Sequence, residues 1–215
     1  KDLYYGPTYE YDKEYITDLA NYYDATRIFE ADHEDAIDLI SKKNIVAMFQ
    51  GKSESGPRAL GNRSIMYDPR DPNGKDHVNT IKRREYFRPF AGSILKEHVH
   101  DWFDLRGMDD TPFMMYAVRC QEGIEEKSPA IIHVDDTCRI QTVTEEVNPN
   151  YYNIIKTFYD KTGCPIIFNT SFNLGGEPLV ETLDDALRTL ANSLIEYLYL
   201  PCLLYTSDAA DDWSS

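Results

Sequence analysis

Three places in the chain set basic or amide side chains at spacings suited to handling anions. Between Gly51 and Ala91, nine cations stand against five acids, in a chain of 215 residues with a net charge of −15. Arg58 and Arg63 sit in SGPRALGNRS, where Gly56, Pro57 and Gly61 let backbone amides approach a ligand closely. Lys82 and Arg84 are two apart in KRREYFRPF, so in an extended segment they share a face, with Arg88 further on. An arginine fork clamps phosphate or carboxylate through two parallel bonds, and lysine adds a mobile point charge. The set suits a polyphosphate.

The second place is IIHVDDTCRIQTV, residues 131 to 143, which alternates. Ile132, Val134, Cys138 and Ile140 take one face of a strand, and His133, Asp135, Thr137, Arg139 and Gln141 the other. A half-wet antiparallel strand gives the same alternation, but Arg139 is its only cation. The third is CPIIFNTSFNLGGEP, residues 164 to 178, an apolar strand that ends in neutral hydrogen-bonding groups. Asn169, Ser171 and Asn173 point one way while Thr170 and Phe172 point the other, and Gly175 and Gly176 then break the chain. No Walker-type loop and no G-x-G-x-x-G is present, so a bound nucleotide is held by convergent side chains. His98 and His100, even with His133, form too weak a pattern for a metal hydrolase, and no residue is assigned to a metal.

The elements that must carry these residues follow from periodicity. A short helix is expected over Glu14 to Tyr22, in a surface-lying lead-in. A second helix starts at Asp32 or His33, carries Ala36, Ile37, Leu39 and Ile40, and ends at Lys42 and Lys43. NIVAMFQG, residues 44 to 51, is a buried strand closed by Gly51. Tyr151 to Lys161 is helical and leads into the strand Pro165 to Asn169. Thr182 caps a last helix whose stripe runs through Leu183, Ala186, Leu187, Leu190, Ala191, Leu194, Ile195 and Leu198. This strand and helix alternation predicts an α/β fold. The stretch after Pro201 breaks every preceding pattern and is expected to be a non-native or disordered tail.

Composition narrows the partners. Sixteen Tyr and nine Phe argue for a packed core, and the acidity disfavours a general nucleic-acid surface. Cys120, Cys138, Cys164 and Cys202 are widely spaced, with no membrane-length apolar run and no leader, so a reducing, cytoplasmic setting is expected. The first residue is not Met, which marks the chain as an expected fragment.

Four segments, FQGKSESGPRALGNRSIMYDPR, KRREYFRPFAGSIL, HVDDTCRIQTV and PIIFNTSFNLGGEPLVETLDDALRTL, in this order and spacing, resemble the C-terminal domain of the NodU/CmcH-type O-carbamoyltransferases. The resemblance covers about residues 40 to 200. It implies a YrdC-like α/β domain over residues 41–200, whose twisted mixed sheet and flanking helices line an open, positively charged cleft, with residues 1–40 as a linker from a further N-terminal domain. It implies ATP, Mg²⁺ and carbamoyl phosphate as reactants and carbamoyladenylate as product. The N-terminal actin/Hsp70-like domain, which carries iron or another metal, would then move the carbamoyl group to a hydroxyl. The family's K-x-R falls on Lys82 and Arg84 and its S-x-N on Ser171 and Asn173. The arginine of G-P-R-A-L-G is Arg58, and that of R-x-Q is Arg139. Lys82, Arg84 and Arg139 are therefore expected to serve catalysis, and Arg58, Arg63, Arg88, Asn169, Ser171 and Asn173 to hold substrates. Gly175 stands where the family often has a basic residue. Two rival expectations are a non-catalytic nucleotide- or RNA-binding module of the same fold and a threonylcarbamoyl-adenylate synthase-like enzyme.

Overall fold

A computed structural model describes residues 2–23 and 28–206. Among these the helices are α1 (Lys13–Tyr22), α2 (His33–Ser41), α3 (Gly74–Ile81), α4 (Val99–Trp102), α5 (Ile124–Lys127), α6 (Pro149–Thr162) and α7 (Leu183–Ala191). The strands are β1 (Ile28–Ala31), β2 (Val46–Phe49), β3 (Arg63–Tyr67), β4 (Ala91–Leu95), β5 (Phe103–Asp104), β6 (Ala117–Cys120), β7 (Thr137–Val143), β8 (Ile166–Ser171), β9 (Tyr197–Leu200) and β10 (Cys202–Thr206). Together they form one sheet in the order β1-β10-β9-β2-β3-β8-β4-β7-β6-β5. Its β2/β9 and β4/β7 pairs are parallel and the others antiparallel, which makes the expected mixed α/β architecture.

Local chemistry accounts for the main helices. Asp32 and Asp35 make a reciprocal capping box at the start of α2, and Thr182 and Asp185 make another at α7. Asn148 caps α6, Pro149 opens it, and Gly163 closes it in the left-handed region with its N–H on the Tyr159 carbonyl. Ala36, Ile37 and Ile40 of α2 and Tyr151, Ile154, Ile155 and Phe158 of α6 are buried in the core, as are all four residues of β2.

The structure departs from the sequence-based expectations at several points. Helix α7 stops at Ala191, with Asn192 as its cap, although the apolar spacing continues. Leu198 belongs to β9, and Leu194 is exposed rather than core, because a turn at 192–196 re-aims the chain. The strand expected from 131 begins only at Thr137. Asp136 has φ of 60°, Asp135 accepts from the Thr137 N–H and hydroxyl, and Val134 is fully exposed on this turn. Ile16 and Ala20 of α1 are buried, so the lead-in is part of the core rather than a surface strap. Residues Cys202–Thr206, expected to carry no fold, pair on both sides as β10, between β1 and β9, while residues 207–215 lie outside the described residues.

Candidate active site

The site grows from a row of residues that share one face of the sheet. Met66, Asn169, Ala91, Arg139 and Ala117 are successive partners across β3, β8, β4, β7 and β6. Directly paired residues point to the same side, so Asn169 and Arg139 flank Ala91, two strands and roughly 10 Å apart. Ser171 follows Asn169 on that face at the end of β8.

Lys82 reaches this strand end from the C-terminal cap of α3, with only 2% of its surface exposed. Its ammonium donates to the Ser171 carbonyl, to Ser171 Oγ at 3.3 Å and to Asn173 Oδ1 at 3.1 Å. Ser171 Oγ in turn donates to Asn173 Oδ1 at 2.6 Å. Residues 89 and 91 positions apart thus converge on one cation. Burial, and after it the charge of Arg84, push the Lys82 ammonium down to about 7. The segment is not extended as expected. Lys82 and Arg83 turn, with Arg83 at φ 53°, and the Lys82 carbonyl accepts from Gly175 N–H. Gly175 is tied to that turn, since a Cβ there would lie 2.7 Å from the Arg83 carbonyl oxygen.

Arg84 consequently leaves the Lys82 side of the turn. Its Nε donates to Asn79 Oδ1 at 2.6 Å and its guanidinium lies 4.0 Å over the Phe90 ring. Burial and Arg88 lower it to about 10, against the pull of Glu85. Arg83, Arg84, Arg88, Gly175 and Gly176 line a cavity of about 510 Å³ with Asn79, Thr80 and Glu85. Arg88 is paired with Glu85 at the exposed rim.

Arg58 and Arg139 form the other cationic pair. Among the described residues neither guanidinium has a hydrogen-bond or ion-pair partner, and Arg58 Nε is buried without one. Burial and the neighbouring Arg139 charge lower the Arg58 guanidinium from its ordinary range. Two unpartnered guanidiniums repel each other, and an anion between them removes that cost.

Arg63 is placed apart from this set. It is fully buried, with its guanidinium 3.7 Å from the Phe49 ring centre. It donates to the carbonyls of Gln50, Asn62, Gly51 and Glu181. Those bonds fasten two loops to the sheet and leave little of the fork for a ligand, which corrects the expectation that it holds substrate. Asn169 is buried too, with its amide nitrogen on the Ala59 carbonyl and on Ser93 Oγ.

The sequence puts Gln141 on the polar face with Arg139, but it assigns neither Gln141 nor Glu54 a supporting role. Glu54 Oε1 accepts from the backbone N–H groups of Leu60, Asn62 and Arg63 at 2.7, 2.8 and 3.3 Å, folding the Arg58 loop around one buried carboxylate. Its carboxyl is pushed up by burial against those bonds. Gln141 donates to the Leu60 carbonyl at 3.0 Å and holds the same loop to β7. Their signals were a lone early acid in a basic stretch and a glutamine two residues from Arg139. His133 lies between the Phe90 carbonyl and the Thr137 hydroxyl, and His98 packs on Tyr159. Among the described residues no three His, Cys, Asp or Glu side chains come together as a metal cluster. No described helix is long and apolar enough to cross a membrane.

These features make the molecule an α/β domain in which basic and amide side chains converge at the strand ends. The chain belongs to the carbamoyltransferase C-terminus family, whose model matches residues 37–206. It is 42% identical over 184 residues to the nodulation protein NolO of Bradyrhizobium diazoefficiens, covering 84% of this chain and 34% of that protein. It is 34% identical over 157 residues to the 3'-hydroxymethylcephem-O-carbamoyltransferase of Streptomyces clavuligerus, covering 73% and 29%. The chain therefore spans about a third of the length of these curated relatives. Its fold is YrdC-like and is shared with full-length HypF in a phosphate- and nucleotide-bound form, at a TM-score of 0.57 and 16% identity over 80% of this chain and 25% of that one. T. kodakarensis HypF gives a TM-score of 0.54 at 18% identity over 84% and 22%.

Proposed function

We propose that this domain makes carbamoyladenylate from ATP and carbamoyl phosphate, for transfer to a hydroxyl by the remainder of an O-carbamoyltransferase. The observation that carries the proposal is the meeting of buried Lys82 with Ser171 and Asn173, at one end of the sheet face whose row also carries Arg139, with the unpartnered Arg58 near it. The two reactants together bring about six negative charges, which several fixed cations must neutralise. Water cleaves carbamoyl phosphate to carbamate and inorganic phosphate, and a carbamate oxygen then attacks the α-phosphorus and displaces pyrophosphate, leaving carbamoyladenylate. Lys82, Arg84, Arg58 and Arg139 supply that charge, and Ser171 and Asn173 supply neutral groups for the small planar carbamoyl. Catalysis is then orientation and charge neutralisation without a covalent enzyme intermediate. Mg²⁺ enters with the ATP phosphates as part of the substrate. The name of the Streptomyces relative supports transfer to oxygen, and the remaining two thirds of such proteins would supply the actin/Hsp70-like domain and its metal.

The test is pyrophosphate release in a single turnover with both substrates. Lys82→Ala and Arg139→Ala are each expected to lower it at least 100-fold in a protein that still unfolds cooperatively. Release at the parent rate in either variant would remove that residue from the site.

A further inference from the structure

Asn169 sits one step inside the Lys82 cluster, and its orientation is fixed by its surroundings. The Leu60 carbonyl takes a hydrogen bond from Gln141 Nε2, which turns Gln141 Oε1 toward Ser93 Oγ at 2.8 Å. Asn169 Nδ2 then donates to Ser93 Oγ at 2.9 Å and to the Ala59 carbonyl at 3.1 Å, with Gln141 Oε1 at 3.5 Å. Exchanging the amide nitrogen and oxygen would set Oδ1 against two acceptors, so the carboxamide has one orientation. Its Oδ1 is left on the other side, in a residue 1% exposed, and among the described residues it has no partner. A buried, unpartnered acceptor held this rigidly costs about 1–3 kcal/mol and calls for a donor.

We infer that Asn169 Oδ1 reads the amino group of the carbamoyl substrate. The inference rests on the adenylation proposal and adds the discrimination it leaves open. A carbamoyl differs from an acetyl or a bicarbonate-derived group by its NH₂, and nothing else in it can donate to Oδ1. The cations that grip phosphate accept all these analogues alike, so selection falls to an acceptor. Asn169 lies in the same row as Arg139 and two residues before Ser171, next to the groups that hold the phosphate. A site built around a hydrogen bond rejects the analogue that lacks the donor, because its own acceptor is then left buried and bare.

The experiment is a calorimetric titration of this chain, with an ATP analogue uncleavable at the α–β bridge present, by carbamoyl phosphate and separately by acetyl phosphate. The parent protein is expected to bind carbamoyl phosphate about ten- to a hundredfold more tightly, the equivalent of one buried hydrogen bond. In Asn169→Ala the two affinities should draw level. Equal affinities in the parent protein would overturn the inference while leaving the adenylation proposal standing. Binding of neither acyl phosphate would overturn both. If Asn169→Ala fails to fold, the parent comparison decides alone.

Discussion

At the residue scale the proposed adenylation turns on Lys82. Its ammonium is buried among neutral acceptors, and desolvation with the Arg84 charge brings it from the ordinary lysine range to about 7. A lysine depressed in the folded state opposes folding wherever the unfolded chain keeps its proton. The penalty is full below about pH 7, falls as pH rises toward the ordinary value of 10.5, and is gone above it. A phosphate bound against Nζ favours the ammonium and raises its pKa again. Binding of ATP or carbamoyl phosphate near pH 8 should therefore take up close to one proton, and affinity should fall as pH rises above 7. Calorimetry in buffers of different ionisation enthalpy measures the uptake. Uptake near zero would mean that Lys82 is not against the anion.

At the element scale, the site depends on how α3 ends and β8 begins its exit loop. Gly175 N–H bonds the Lys82 carbonyl and its Cα rests on the Arg83 backbone, which admits no Cβ without movement. Gly175→Ala should cost about 1–3 kcal/mol of stability and weaken anion binding further, because the shifted turn carries Lys82. Unfolding curves and ATP affinity measured on the same sample check this. A fully stable variant with parent affinity would show that the turn is tolerant. The same turn explains what the sequence left illegible. A spacing of two residues predicts a shared face only in an extended segment, and the α3 cap with Arg83 at positive φ sends Lys82 and Arg84 apart. The contact of Lys82 with Ser171 spans 89 positions and has no local signal. By contrast the capped helices α2 and α7 and strand β2 carry their own start and burial signals, so their existence was readable, though the end of α7 was not.

At the scale of the whole molecule, one ten-stranded sheet holds the Lys82 and Arg139 regions in fixed register. Strand β10 is the sole described partner of β1 and covers one side of β9. Truncation after Pro201 should expose both edges, lower the unfolding midpoint and promote self-association, as light scattering with thermal unfolding would show. A monomer of parent stability would instead make β10 dispensable. The family match runs to residue 206, which agrees with β10 being integral. The strand escapes a reading of the sequence because Cys202–Thr206 does not continue the helical spacing before it, and one of its two partners, β1, lies near the other end of the chain.

Pyrophosphate exchange is the direct readout of reversible adenylation at the proposed Lys82, Ser171, Asn173, Arg58 and Arg139 site. This chain is incubated with ATP, Mg²⁺, labelled pyrophosphate and carbamoyl phosphate, and label is followed into ATP. Exchange is expected to depend on carbamoyl phosphate and to disappear in Lys82→Ala. Exchange without carbamoyl phosphate, or none at all while ATP is bound, would contradict adenylation at this site.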